Sequence, residues 1–312
     1  MRKHLVVLAL VLVPGAAIAA DQLPDWAYPV APQGVTASMT EKVVKVPGSD
    51  KQYTEKQIED GFAPPDWFPN EHAPMPPIVA NGAKPGAIAC ARCHLPTGAG
   101  HPESSPMWGL PATYTVRQMQ DYAADKHKGP RKGLMIRIAK QMSADEIKAS
   151  ADYFATTKAT PGYTKVVEKA IVPKSEVGEN NMRFVVHNGG NERIGERIIV
   201  LPQNEEQAKA RNPKFGFVSY VPPGSIAQGK KLAAGVKGKT VACDVCHGAG
   251  LKGLGEVPSL AGRDPIFLVR QLWDFKDGRR TGVWATLHAP FNHQLTTKDM
   301  IALAAYAGSL QP

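Results

Sequence analysis

Two pentapeptides decide how this chain is read: Cys90-Ala-Arg-Cys93-His94 and Cys243-Asp-Val-Cys246-His247. Between them they hold all 4 cysteines of a 312-residue chain, too few for a disulfide-dense scaffold. Each C-x-x-C-H is an attachment signature for haem c. The two thiols add to the two haem vinyl groups as thioethers, and the adjacent histidine lies under the iron as an axial ligand. A lone C-x-x-C is also a redox dithiol or half a zinc site. A zinc site made from both pairs, however, leaves both histidines without a role. The expected cofactors are therefore two covalently bound haem c groups. Cys90, Cys93, Cys243 and Cys246 attach them, and His94 and His247 are metal ligands.

The second motif lies 153 positions after the first, and the same offset holds for more than 60 residues beyond it (from Cys90 against Cys243 to Tyr153 against Tyr306). Val116-Arg117-Gln118 maps onto Val269-Arg270-Gln271, Asp121-Tyr122 onto Asp274-Phe275, and Glu146 onto Asp299. The chain thus contains an internal repeat. Each copy predicts a Gly/Pro-rich loop after its motif, a helix (115–124 and 265–276), a second loop, and a last helix. Ser143-Ala-Asp-Glu146 opens one last helix as a capping box, and Thr296-Thr-Lys-Asp299 opens the other more weakly. Apolar residues follow at helical spacing: Ile147, Ala151 and Phe154, then Met300, Leu303, Ala304 and Ala307.

A six-coordinate haem needs a second axial ligand, usually Met or His. In the first copy Met135 precedes the last helix and is the leading candidate, with Met142, His127 and His101 as alternatives. The offset maps Met135 onto His288, and no methionine stands between His247 and Met300. His288 is the leading candidate for the second haem, His293 the next, and an open site the remaining reading. Imidazole stabilises ferric iron more than a thioether does, so this difference predicts a higher potential for the first haem and electron flow from second to first.

Arg2 and Lys3 precede an apolar run over 5–13, and Ala16-Ala17-Ile18-Ala19-Ala20 follows the break at Pro14-Gly15. This pattern predicts a signal peptide over 1–20, cut after Ala19 or Ala20, and an exported, periplasmic mature chain. The run is too short for a spanning helix of roughly 20 residues, so no transmembrane anchor is expected in the mature chain. The net charge of +9 comes with no dense basic run, so nucleic acid is not an expected partner. The 29 glycines and 27 prolines follow no collagen-like period and point to long irregular segments.

These residues resemble the bacterial tandem diheme cytochromes c, built from two class I cytochrome c domains. The second copy carries the fuller match: Cys243-Asp-Val-Cys246-His247-Gly248, Pro258-Ser-Leu-Ala-Gly262, Val269-Arg-Gln-Leu272 and Asp274-Phe-Lys-Asp-Gly-Arg279. The first matches through Cys90-Ala-Arg-Cys93-His94, Gly109-Leu110 and Arg117-Gln-Met119. The resemblance implies a mainly α fold with two cytochrome c domains in tandem, over 85–162 and 224–312. It also implies a proline carbonyl that accepts the proximal histidine N–H: Pro258, with Pro106 as the looser counterpart. An arginine that meets a haem propionate is implied as well, Arg279 or Arg280. The family core leaves two segments over: a Pro/Trp-rich extension at 21–84 and an insert at 163–223. The insert predicts short strands at 166–172, 182–186, 197–201 and 217–221. A strap and linker is the favoured reading for these segments, and a docking surface the alternative.

The function expected is that of an electron carrier, not an enzyme. It would link a donor, either a dehydrogenase or a quinol-oxidising complex, to a terminal oxidase or small carrier. The alternatives are a diheme peroxidase-like enzyme with one open distal site, and a dedicated subunit of a dehydrogenase complex. The oligomeric state is not legible in the sequence.

Overall fold

The computed structural model describes residues 23–130 and 132–312, and the expected signal peptide lies outside them. The fold is mainly helical with a minor sheet content. Among the described residues no helix is long and apolar enough to cross a membrane.

Each haem-attachment motif sits on one helical turn, Ala91–His94 and Asp244–His247. The longer helices follow from their ends and faces. Pro265–Lys276 starts with a proline in its first turn, and the Asp264 side chain accepts from the Ile266 amide at 2.9 Å. It buries Ile266, Leu268, Val269 and Trp273. Its counterpart Ala112–Ala123 buries Thr115 and Met119. The last helices, Ala144–Thr156 and Thr297–Ser309, both carry complete capping boxes, from Ser143 with Glu146 and from Thr296 with Asp299. The expected loops before them are helical instead. Gly133–Gln141 is an α-helix, and Val283–His288 is a 3₁₀ turn running into Ala289–Asn292. Leu134, Ile138 and Ala139 give the first of these the apolar spacing of a helix, with Ile138 and Ala139 buried.

The insert forms a three-stranded sheet in the order Thr164–Glu168, Phe217–Val221, Ile199–Pro202. The first pair is parallel and the second antiparallel. Two small antiparallel pairs join it: Ile171–Pro173 with Asn191–Arg193, and Ser175–Val177 with Arg183–Val185. The strand expected over 166–172 is therefore two strands, broken at the exposed Lys169-Ala170.

The extension packs into the body of the molecule. Trp67, with Val46, Ile58 and Phe68, is buried against Ala210 of the insert, and its indole donates to the Ala210 carbonyl at 2.8 Å. Ile78 and Val79, on the short helix Pro77–Ala80, share a core with Met119, Ile147 and Phe154. Burial of such side chains contributes about 1.5–3 kcal/mol each, which holds a segment that has little regular structure.

The two copies of the repeat meet in a seam with approximate two-fold symmetry. The Lys128 amide donates to the Arg279 carbonyl at 2.7 Å, and the Thr281 amide donates to the Lys126 carbonyl at 2.9 Å. These are equivalent positions at the offset of 153, so a pseudo-axis passes between His127 and Arg280. Gly129 lies against the Asp274 carboxylate and Gly282 against that of Asp121, where a Cβ would collide with either. Arg263, almost fully buried, crosses the seam and donates to the Pro106 and Trp108 carbonyls at 2.9 and 3.1 Å. Its guanidinium lies 4.2 Å from the centre of the Trp108 ring, and burial pushes its pKa down to about 10.

Candidate haem sites

The single turn that begins at each first cysteine places two thiols and an imidazole together. The His94 amide donates to the Cys90 carbonyl at 2.9 Å, and the His247 amide to the Cys243 carbonyl at 2.9 Å. His94 Nδ1 then meets the Ser105 carbonyl at 2.8 Å, and His247 Nδ1 meets the Pro258 carbonyl at 2.8 Å. An Nδ1–H held by a carbonyl leaves Nε2 free to ligate and fixes the ring's orientation. Burial lowers the pKa of both imidazoles, with the carbonyl opposing it, and so favours the neutral form that binds a metal.

Pro106 does not take the acceptor role expected of it. Its carbonyl faces Arg263, and Ser105 serves His94. The physical reason is that the acceptor is a backbone carbonyl, so its place in the fold matters and its side chain does not. Ser105 is the residue that the offset of 153 places opposite Pro258.

Met135 lies on Gly133–Gln141, half-buried against the same core as Cys90 and Met142. His127 is buried, stacked on Tyr122 at 4.2 Å, and directed by Nε2 to Gln118 at 3.1 Å. His101 is buried beside Arg211. Both are held neutral mainly by burial, His127 with its pKa pushed down to about 2.

In the second copy the His288 ring stands 6.2 Å from the His247 ring, centre to centre, at a tilt of 49°. It stacks on Phe275 at 4.1 Å and 5°. Burial pushes its pKa down to about 3, with His247 and Arg280 contributing. Its Nδ1 is buried without a hydrogen-bond partner among the described residues. His293 is exposed and bonded to the Ala289 carbonyl.

The residues present fit a haem on two further observations. Val283, Trp284 and Leu287, on the turn leading to His288, stand exposed, as the apolar surface a porphyrin face covers. Buried donors without partners also cluster near the seam: Arg279 Nη1, and Arg117 Nε and Nη2. Such donors suit carboxylates like the haem propionates. Arg280, the other arginine expected to meet a propionate, is engaged elsewhere. It donates to Gln271, Tyr114 and Gln118, and stacks over Phe275. Arg117 was not singled out from sequence, although the repeat placed it opposite Arg270.

No family model matches the chain. Over 136 residues it is 34% identical to cytochrome c4 of Stutzerimonas stutzeri, covering 39% of this chain and 65% of that one. The match thus spans just under two thirds of that relative's length. Over 203 residues it is 26% identical to a thiosulfate dehydrogenase electron acceptor of Thiomonas intermedia, covering 64% of this chain and 68% of the relative. Over 78 residues it is 33% identical to cytochrome c-554(548) of Halomonas halodenitrificans, covering 25% of this chain and 94% of that protein. That near-complete match and the two attachment motifs give the same answer: the chain belongs to the class I cytochromes c, as a member with two haem-attachment motifs.

Proposed function

We propose that the chain is a periplasmic electron carrier with two class I units in tandem, over 85–162 and 224–312, each holding one covalent haem c. His94 and Met135 ligate the first iron, and His247 and His288 the second. The observation that carries this reading is the opposition of His247 and His288. Two imidazoles bound to one metal at about 2 Å place their ring centres about 6 Å apart, and the rings stand 6.2 Å apart. The haem iron supplies a one-electron ferric–ferrous couple. Phe275 fixes the His288 ring, and the Ser105 and Pro258 carbonyls fix the proximal rings. With haem bound, the thioether of Met135 would favour ferrous iron and the imidazole of His288 ferric, which would send electrons from the second unit to the first.

The donor proposed is an oxidising enzyme or a quinol-oxidising complex, and the acceptor a terminal oxidase or small carrier. The Thiomonas relative, named for accepting electrons from a thiosulfate dehydrogenase, supports the first class of donor.

Low-temperature spin resonance of the holoprotein tests the ligation. The wild type is expected to give one bis-imidazole and one imidazole–thioether ferric signal. His288→Met is expected to convert the first into a second thioether-type signal and to raise that haem's potential. A bis-imidazole signal that survives the substitution excludes His288, and a high-spin second haem in the wild type restores the open-site, peroxidase-like reading.

A further inference from the structure

The two attachment turns differ in what lies over them. Arg92 and Val245 are equivalent positions, each the second residue between its paired cysteines. Val245 is 65% exposed. The turn Asp244–His247 contains no buried residue. The first turn is covered by two segments that the repeat does not contain. From the extension, the Gly61 carbonyl accepts from the Ala89 amide at 2.8 Å, and the Glu59 carbonyl and carboxylate accept from Arg92. From the insert, Arg211 Nη1 donates to the Arg92 carbonyl at 3.0 Å, and Nη2 to Glu59 Oε1 at 3.1 Å.

Glu59 is thus held between two guanidinium groups. Its side chain is 9% exposed, that of Arg92 13% and that of Arg211 3%. Arg211 adopts a left-handed backbone, φ +57°, uncommon for a residue with a side chain. Indole and lysine contacts hold the two segments to each other: Trp67 to Ala210, and Lys214 to Glu71 at 2.6 Å. A buried carboxylate shared by two cations loses more when one member is removed than the pair gains over apolar packing. The cluster therefore acts as a clamp whose parts come from three separate stretches of chain.

We propose that the extension and insert form a cap over the first haem's attachment edge, clamped by Glu59 between Arg92 and Arg211, so that outside one-electron reductants deliver electrons through the second unit's edge at Val245. The proposal rests on the two-haem reading above. Protein laid over a haem edge lengthens the outer-sphere path, and the exchange rate falls steeply with that distance. Each event moves one electron. With haem bound, an outer-sphere reductant would lose one electron to the second unit, whose His247 and His288 would hold the accepting group. That electron would then cross the seam to the group held by His94 and Met135, leaving the second unit oxidised again. No bond or proton changes hands.

The test uses holoprotein and hexaammineruthenium(II), followed by stopped flow with freeze-quenched spin resonance to separate the two ferric signals. A haem assay comes first: fewer than two haems per chain overturns the two-haem reading itself, whatever the cap does. With two haems present, the second is expected to be reduced at a rate proportional to reagent, and the first at a rate that levels off as reagent rises. Glu59→Gln and Arg211→Met are expected to give the first haem a direct, reagent-proportional rate, about tenfold above the wild type, within the range on-rates show when an approach is opened. Hydrogen exchange at the amides of 90–94 is expected to quicken in these variants while 243–247 is unchanged. At reagent concentrations below that plateau, Val245→Lys, at an exposed position, is expected to slow both haems together by about threefold with this cationic reagent. Direct reduction of the first haem in the wild type, or a Val245→Lys effect confined to the second haem at reagent concentrations below the plateau, overturns the proposal.

Discussion

His72 ties the segment 66–73 to the helix Ala144–Thr156. Its Nε2 lies 3.1 Å from Asp66 Oδ1, and its Nδ1 lies 2.8 Å from the Ala73 carbonyl and 3.1 Å from the Tyr153 hydroxyl. Tyr153 donates to the Pro96 carbonyl at 2.6 Å. Both ring nitrogens thus face acceptors, so the doubly protonated imidazolium makes the better set of bonds. The Asp66 hydrogen bond raises the histidine's pKa first, and partial burial opposes it. A folded-state pKa above the unfolded value of about 6.5 gives stability that is complete below that value. It is lost as pH rises through the raised folded value. Urea midpoints of the wild type are therefore expected to fall as pH is raised from the ordinary histidine range upward, and His72→Gln to flatten that part of the profile. An unchanged slope in His72→Gln places the pH dependence elsewhere. The same scale explains the one carbonyl misassigned from sequence. Residue type suggested Pro106, whereas register fixed Ser105, because a main-chain acceptor carries no residue signature.

At the scale of the element, the helix Thr297–Ser309 depends on a reciprocal cap. Thr296 Oγ1 accepts from the Asp299 amide at 3.2 Å, and Asp299 Oδ2 accepts from the Thr296 amide at 2.9 Å. Lys239 joins Asp299 Oδ2 at 2.6 Å. Hydrogen bonds from Lys239 and Thr296 outweigh burial and lower the carboxylate's pKa. Thr296→Ala is expected to cost about 1 kcal/mol, read as a lower urea midpoint at unchanged denaturant slope. A loss under a few tenths shows that Lys239 and helix packing suffice. This cap was legible in the sequence, as were the helix Pro265–Lys276 and the strand Phe217–Val221, because each has a local signal of capping residue, proline or alternation. The strands Ser175–Val177 and Asn191–Arg193 were not legible. They are three residues long, and their stability comes from partners rather than from their own pattern. The Glu59–Arg92–Arg211 clamp had no local signal either. Its members lie up to 152 positions apart, and only the folded chain brings them together.

At the scale of the whole molecule, the seam repeats one ion pair with two different surroundings. Arg117 meets Glu256 at 3.1 Å, and Arg270 meets Glu103 at 2.8 Å. All four are equivalent positions across the pseudo-two-fold axis, so the chemistry is the same and burial is the variable. The first pair is partly in solvent, with side chains 22% and 49% exposed, while the second is 8% and 11% exposed. Arg270 also donates to the Pro102 carbonyl at 2.7 Å and to the Ala27 carbonyl, which draws the start of the extension onto the seam. A solvent-exposed pair contributes about 0.2–1 kcal/mol. Removing one partner of a buried pair leaves a desolvated charge and costs about 3 kcal/mol. Glu256→Ala is therefore expected to lower holoprotein stability by no more than about 1 kcal/mol, and Glu103→Ala by about 3 kcal/mol, both measured by urea unfolding. Added salt is expected to shrink the Glu256 effect while leaving that of Glu103 nearly unchanged, because screening acts on exposed charges. Equal losses at the two positions, with equal salt dependence, would mean that the seam is held by its backbone pairs and glycine contacts, and that the twofold-related charges only set its register.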